Sequence, residues 1–232
     1  TVALIFPVTV QRSMIRKEIP FSLVITVLVL VLSNAVLGQK ENVLSRFEGM
    51  ALLVLFAAFI YYTFRQSAVD NDVEKIEMKQ MTTLKIWALI VIGLSLLVAG
   101  GRMVVTGAEN IALDLGISEK IIALTIVAAG TSLPELVTSV VAASKKNSDI
   151  AIGNVIGSNI FNLLFILPVS AVIHPVSYAT TFNREMLLLI GGTIIVILYM
   201  FAGKRYKVDR WEGALLLGVF LAYTIFLIQQ EL

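Results

Sequence analysis

Glu135 is a carboxylate placed where a membrane protein can least accommodate one. It falls inside the apolar stretch 118–143, directly after Gly130-Thr131-Ser132-Leu133-Pro134. An ionised carboxylate near mid-membrane costs about 3 kcal/mol even on the gentler insertion scales, so it normally faces a partner, an ion or a water-filled cavity. Pro134 lacks an amide hydrogen and its ring conflicts with the carbonyl of Gly130, so the helix should break there and leave backbone oxygen free. Broken backbone at that depth is tolerated only inside protein or along a cavity. Thr131, Ser132, Thr138 and Ser139 stand at helical spacing from Glu135, which predicts a stripe of hydroxyls beside the carboxylate.

The next apolar stretch, 150–173, supplies a facing wall. Asn154, Ser158 and Asn162 recur every four residues, with Asn159 beside them, and Gly153 and Gly157 form a small-residue pair expected to let helices approach closely. One carboxylate, several hydroxyls, amide oxygens and freed carbonyls make an all-oxygen set, which suits hard cations such as calcium or sodium. The chain has no cysteine, which removes thiolate metal sites and disulfides from consideration. His174, the only histidine, precedes Pro175 at a span end, where an interfacial role is expected. No serine has a His or Asp partner at matching depth, which argues against an intramembrane hydrolase. No catalytic residue and no cofactor is therefore expected, and the bound ions would be cargo.

The elements that must position these groups are membrane spans. The 232 residues are 58% hydrophobic and 15% charged, with a mean hydropathy of +0.90, whereas soluble domains run nearer half apolar and a quarter charged. Apolar runs near the roughly 20 residues that cross a bilayer lie around 19–37, 48–64, 84–104, 118–143, 150–173, 185–202 and 211–229, with an apolar stub at 2–6. This predicts an all-α polytopic membrane protein with seven spans plus a stub. Alternate loops divide the 18 basic residues into thirteen (Arg12, Arg16, Lys17, Arg65, Lys75, Lys79, Lys85, Lys145, Lys146, Lys204, Arg205, Lys207, Arg210) and five (Lys40, Arg46, Arg102, Lys120, Arg184). The excess of Lys and Arg marks the cytoplasmic side, so the C-terminus is expected to be external, in a plasma or inner membrane.

The chain also repeats itself. Pro7-Val8-Thr9, then Lys17-Glu18 and an apolar run, match Pro175-Val176-Ser177, then Arg184-Glu185 and another; Arg46-Phe47-Glu48-Gly49 matches Arg210-Trp211-Glu212-Gly213. Two landmarks in the same order read as an internal duplication. Five spans per copy would place the copies in opposite orientations, the inverted-repeat plan of many transporters. Residues 1–65 are then the remnant of a first repeat (the end of span 3, spans 4 and 5), 66–83 a charged cytoplasmic linker, and 84–232 a second repeat (spans 6 to 10). On this reading the chain is the C-terminal part of a ten-helix protein, and the rest of the first repeat is needed to complete the site. Glu48, Glu212, Glu18 and Glu185, beside basic residues at span ends, are expected to be boundary and capping groups.

The sequences GTSLPE at 130–135 and GNVIGSNIFN at 153–162 resemble the second alpha-repeat of the sodium/calcium exchanger family, within the cation/calcium antiporter superfamily. The similarity runs over 84–229, and Ile156-Gly157-Ser158 sets the chain apart from the proton/calcium branch, where a glutamate follows the GN motif. The resemblance implies that Glu135 is the carboxylate shared by calcium and sodium, that Ser132 and Ser158 add hydroxyls, and that Thr131 and Ala128 contribute mainly backbone oxygens. Asn162 takes the remaining ligand position, where family members carry Asn or Asp. The expected function is secondary antiport of sodium against calcium by alternating access. The alternatives are an antiporter of other selectivity, coupled to potassium or protons, and a non-transporting membrane subunit with Glu135 buried for assembly.

Overall fold

A bilayer offers no water to backbone N–H and C=O groups, so long apolar runs must satisfy them internally as helices. The computed structural model is helical accordingly and describes residues 2–6, 8–11, 13–34, 42–67, 82–202 and 206–231. In chain order its elements are α1 (Val2–Ile5), β1 (Val8–Thr9), α2 (Ile19–Ser33), β2 (Val43–Leu44), α3 (Arg46–Ser67), α4 (Thr83–Asp114), α5 (Glu119–Ile122), α6 (Ala128–Thr131), α7 (Leu133–Ser144), α8 (Ser148–Phe161), α9 (Leu167–Ile173), β3 (Val176–Ser177), α10 (Asn183–Ala202), β4 (Lys207–Val208) and α11 (Arg210–Glu231).

Among the described residues, five helical segments are long and apolar enough to cross a membrane: Arg46–Arg65, Thr83–Asp114, Ser148–Ile173, Thr180–Phe201 and Arg210–Gln230. A bent pair, Thr125–Thr131 with Leu133–Ser144, makes a sixth if counted as one span. The stretch expected around 19–37 is the 15-residue α2, which continues from a π-helical turn at Met14–Glu18. Most of the expected linker, 68–81, lies outside the described residues.

One boundary differs from expectation. Helix α4 runs past 104 to Asp114, because no proline interrupts it before Gly116, whose φ of +76° ends it. There Ile117 N–H donates to Ala112 O (3.0 Å) and Gly116 N–H to Leu113 O (2.9 Å), the double bond of a Schellman stop. Arg102, assigned above to a loop, is therefore inside a helix. Two other irregularities have a common cause. Ile19 N–H reaches back to Met14 O and Leu167 N–H to Asn162 O, five residues each, immediately before Pro20 and Pro168. A proline ring crowds the carbonyl four residues earlier, and widening the preceding turn by one residue relieves it.

The chain closes on itself twice in the same manner. Strand β1 pairs with β4 and β2 with β3, both antiparallel. The Arg210 guanidinium donates to Ile5 O (3.4 Å), and that of Arg46 to Ile173 O (3.3 Å). A Cβ on Gly213 would meet Ala3, and one on Gly49 would meet the Pro168 carbonyl at 2.9 Å, so α11 sits tightly on α1 and α3 on α9. Glu212 Oε2 accepts from Asp209 N–H and Glu48 Oε2 from Ser45 N–H, both at 2.8 Å. These two glutamates are caps, as expected, each serving the residue three earlier.

Two cores flank α2, the first against α3, α8 and α9 and the second against α10. One gathers Ile25, Val29, Leu44, Leu52, Ile160, Leu164 and Ala171, the other Val10, Ile15, Ile19, Met200 and Val208. The ends of the bundle are distinct. Gln11 donates to Asp149 (2.7 Å) and the Lys17 ammonium sits over the Tyr62 ring (5.8 Å). Those contacts and the β1–β4 ladder gather Arg16, Lys17, Arg65, Lys145, Lys146, Lys207 and Arg210 at one end, while the β2–β3 ladder marks the other.

Candidate ion-binding site

Pro134 bends its span by 51° between α6 and α7. Ser132 forms the corner, with φ −94° and ψ 0°. Its N–H donates to Ala129 and Gly130 rather than to Ala128, so the Ala128 carbonyl is released from the helix ladder and accepts instead from Thr131 Oγ1 (2.9 Å). Gly130 lets the bend lie against α4, since a Cβ there would collide with Val105.

Around the bend lies a cavity of ≈ 520 Å³ lined by Thr131, Ser132, Glu135, Ser158 and Asn162, with α1 and α11 supplying apolar wall through Ala3 and Leu216. Five of the six residues expected from sequence thus share one space. Ala128 does not line it and reaches it only through Thr131. Glu135 is half-buried, and its Oε2 is shut from solvent with no hydrogen-bond partner. Leaving a buried acceptor unmet costs about 1–3 kcal/mol, and more when it is charged. A cation in the cavity would supply that partner. Among the described residues no three His, Cys, Asp or Glu side chains cluster, so a cation here would rest on one carboxylate of this chain and on neutral oxygens.

Several polar residues read from the sequence as cavity-facing do other work. Asn154 donates through Nδ2 to Glu135 O (2.9 Å) and to Ser139 Oγ (3.0 Å), so it clamps α8 to α7 rather than presenting its amide to the cavity. Ser139 belongs to the cavity wall, but it is fully buried as the acceptor of that clamp. Thr138 donates to Pro134 O (2.8 Å) within its own helix. Gly157 has open space around it and Gly153 meets only the flexible tip of Met14, so the expected close approach through these glycines is not what joins α7 to α8. Ser158 donates to Val155 O (3.1 Å), which leaves its hydroxyl lone pairs available to the cavity. Asn159, not singled out as a site residue, also lines the cavity. Its signal was present in the spacing, because it lies three residues before Asn162 and shares that face.

Fold and site together define a multi-pass membrane protein with a polar, carboxylate-bearing cavity at a broken helix. The chain belongs to the sodium/calcium exchanger protein family, whose family model matches residues 85–229. Sodium/calcium exchanger MaX1 of Methanosarcina acetivorans is 37% identical over 142 residues, covering 60% of this chain and 39% of that protein. Inner membrane protein YrbG of Escherichia coli is 34% identical over 236 residues, covering 97% and 70%. A solved structure of the sodium-calcium exchanger NCX_Mj matches with a TM-score of 0.73 at 30% identity, over 98% of this chain and 70% of that one. Membership makes the chain a transporter rather than an enzyme.

Proposed function

We propose that the protein exchanges sodium for calcium across a membrane, the two ions occupying the Glu135 cavity in turn. The observation that carries this is the gathering of Thr131, Ser132, Glu135, Ser158 and Asn162 on one cavity in which a carboxylate oxygen has no partner. Glu135 serves as the shared ligand, Ser132 and Ser158 add hydroxyl oxygens, Thr131 adds its backbone carbonyl, Asn162 adds an amide oxygen, and Ala128, behind the lining, acts by holding the Thr131 hydroxyl. Oxygen ligands of this kind suit both ions. Coupling follows from charge: an empty, negatively charged site is costly to reorient, so one ion must replace the other before the site changes sides.

We further infer an inverted repeat, with 1–65 in the first copy, 66–83 as linker and 84–232 as the second. The two matching closures, α1 with α11 and α9 with α3, support this, since each pairs an element of one copy with one of the other. On that reading, counterparts of α4 to α8, including a second carboxylate, belong to chain ahead of Thr1 and complete the site within a ten-helix transporter. The basic residues gathered at the β1–β4 end support a cytoplasmic position for it and an external C-terminus.

Radiocalcium uptake into sodium-loaded proteoliposomes, with the protein reconstituted within its full-length chain, tests the function. Wild type should take up calcium, Glu135→Gln should abolish uptake by removing the charge while keeping the shape, and Ser132→Ala and Ser158→Ala should each be milder. Uptake that persists when internal sodium is replaced by potassium or by a proton gradient, or that survives Glu135→Gln, overturns the proposal.

A further inference from the structure

Only two side-chain oxygens among the described residues are buried with no hydrogen-bond partner: Oε2 of Glu135 and Oε2 of Glu185. The first belongs to the cavity already described. The second is on α10, where a capping role was expected. Glu185 makes no such cap: its Oε1 accepts from the Tyr223 hydroxyl of α11 at 2.7 Å, its Oε2 is buried with no partner, and the residue lines a separate cavity of ≈ 430 Å³.

That cavity is continuous in its lining with the ion site. Asn159 and Asn162 line both, standing between Glu135 on one side and Glu185 on the other. The hydroxyl and amide donors around Tyr178 are spent on one another. Tyr178 donates its hydroxyl to Asn183 Oδ1 (2.9 Å), and Asn183 and Asn34 exchange amide hydrogen bonds at 2.8 and 2.9 Å. Burial raises the Tyr178 phenol above its ordinary value, with the Asn34 bond opposing and the Glu185 charge reinforcing the shift, so that hydroxyl stays a neutral donor. Leu44, Val176 and Ser177 also line the cavity, which places it at the β2–β3 end, away from the gathered basic residues.

We propose that Glu185 is a cation-binding station in its own right, one cavity removed from Glu135, through which sodium passes to Asn162. The polar members of this otherwise apolar lining include Asn159, Asn162 and Ser177, and one carboxylate with such neutral oxygens in reach balances one positive charge. A divalent ion there would keep an excess charge in a poorly hydrated space. Only the choice of sodium rests on the exchange reading above.

The test is equilibrium binding of radiosodium to the purified protein in detergent, in a Glu135→Gln background that disables the exchange site. Glu135→Gln should retain a saturable sodium component, and Glu135→Gln with Glu185→Gln should lose it. Gln at 185 still offers Tyr223 an acceptor, so the fold is kept. Glu135→Gln with Tyr223→Phe leaves the carboxylate intact and unshared, and should bind sodium about tenfold more tightly, the worth of one hydrogen bond to a charged group. Equal sodium binding in the single and double Gln variants, or no tightening with Tyr223→Phe, overturns the station. Loss of exchange activity in the wild type would sink the functional proposal while leaving this measurement intact.

Discussion

Removing the Asn154 amide should loosen the site without emptying it. Asn154→Ala deletes the two bonds to Glu135 O and Ser139 Oγ that tie α8 to α7. Interhelical hydrogen bonds in membrane proteins average about 0.6 kcal/mol each. Ser139 is fully buried and loses its donor, which adds on the order of 1 kcal/mol. The sum is about 2 kcal/mol, which for a chain of this size lowers Tm by about 4–8 °C. Asn154→Asp should be worse, since it sets a carboxylate against two acceptors. Thermal unfolding in detergent, with and without calcium, reads both effects. The calcium-induced rise in Tm should persist in Asn154→Ala, because the ligands around Glu135 are intact. A Tm unchanged from wild type together with loss of that calcium-induced rise would refute the clamp and make Asn154 an ion ligand.

Gly130→Ala should destabilise the bundle by roughly 1–3 kcal/mol through overpacking, since the added Cβ collides with Val105 on α4; Gly130→Ala with Val105→Ala should recover most of the loss in the same unfolding assay. Orientation is read by labelling. A cysteine at Lys146, in this chain without native cysteine, should resist an impermeant thiol reagent on intact cells, and one at Gln230 should react; the reverse pattern would overturn the sidedness drawn from the basic residues.

Much of the site was legible in the chain because membrane burial makes polar residues conspicuous. Pro134 and Glu135 within an apolar run predict a break and an ion site with no knowledge of the fold, since a missing amide hydrogen and a charge in hydrocarbon have consequences that do not depend on neighbours. The same holds for the caps at Glu48 and Glu212, which satisfy their own helix ends. Spacing alone could not say what each polar side chain would meet. Asn154, Ser158 and Asn162 share one helical face, yet only the packing of α7 against α8 turns Asn154 into a clamp and leaves Asn162 beside open space. Glu185 looked like Glu48 and Glu212 in its sequence setting, an acidic residue near a basic one at a span start. Its distinct role depends on Tyr223, 38 residues away on another helix, and on a cavity that exists only once α2, α8 and α10 are assembled. Local chemistry is written in the chain; which oxygen remains without a partner is decided by the contacts that tertiary packing does or does not supply.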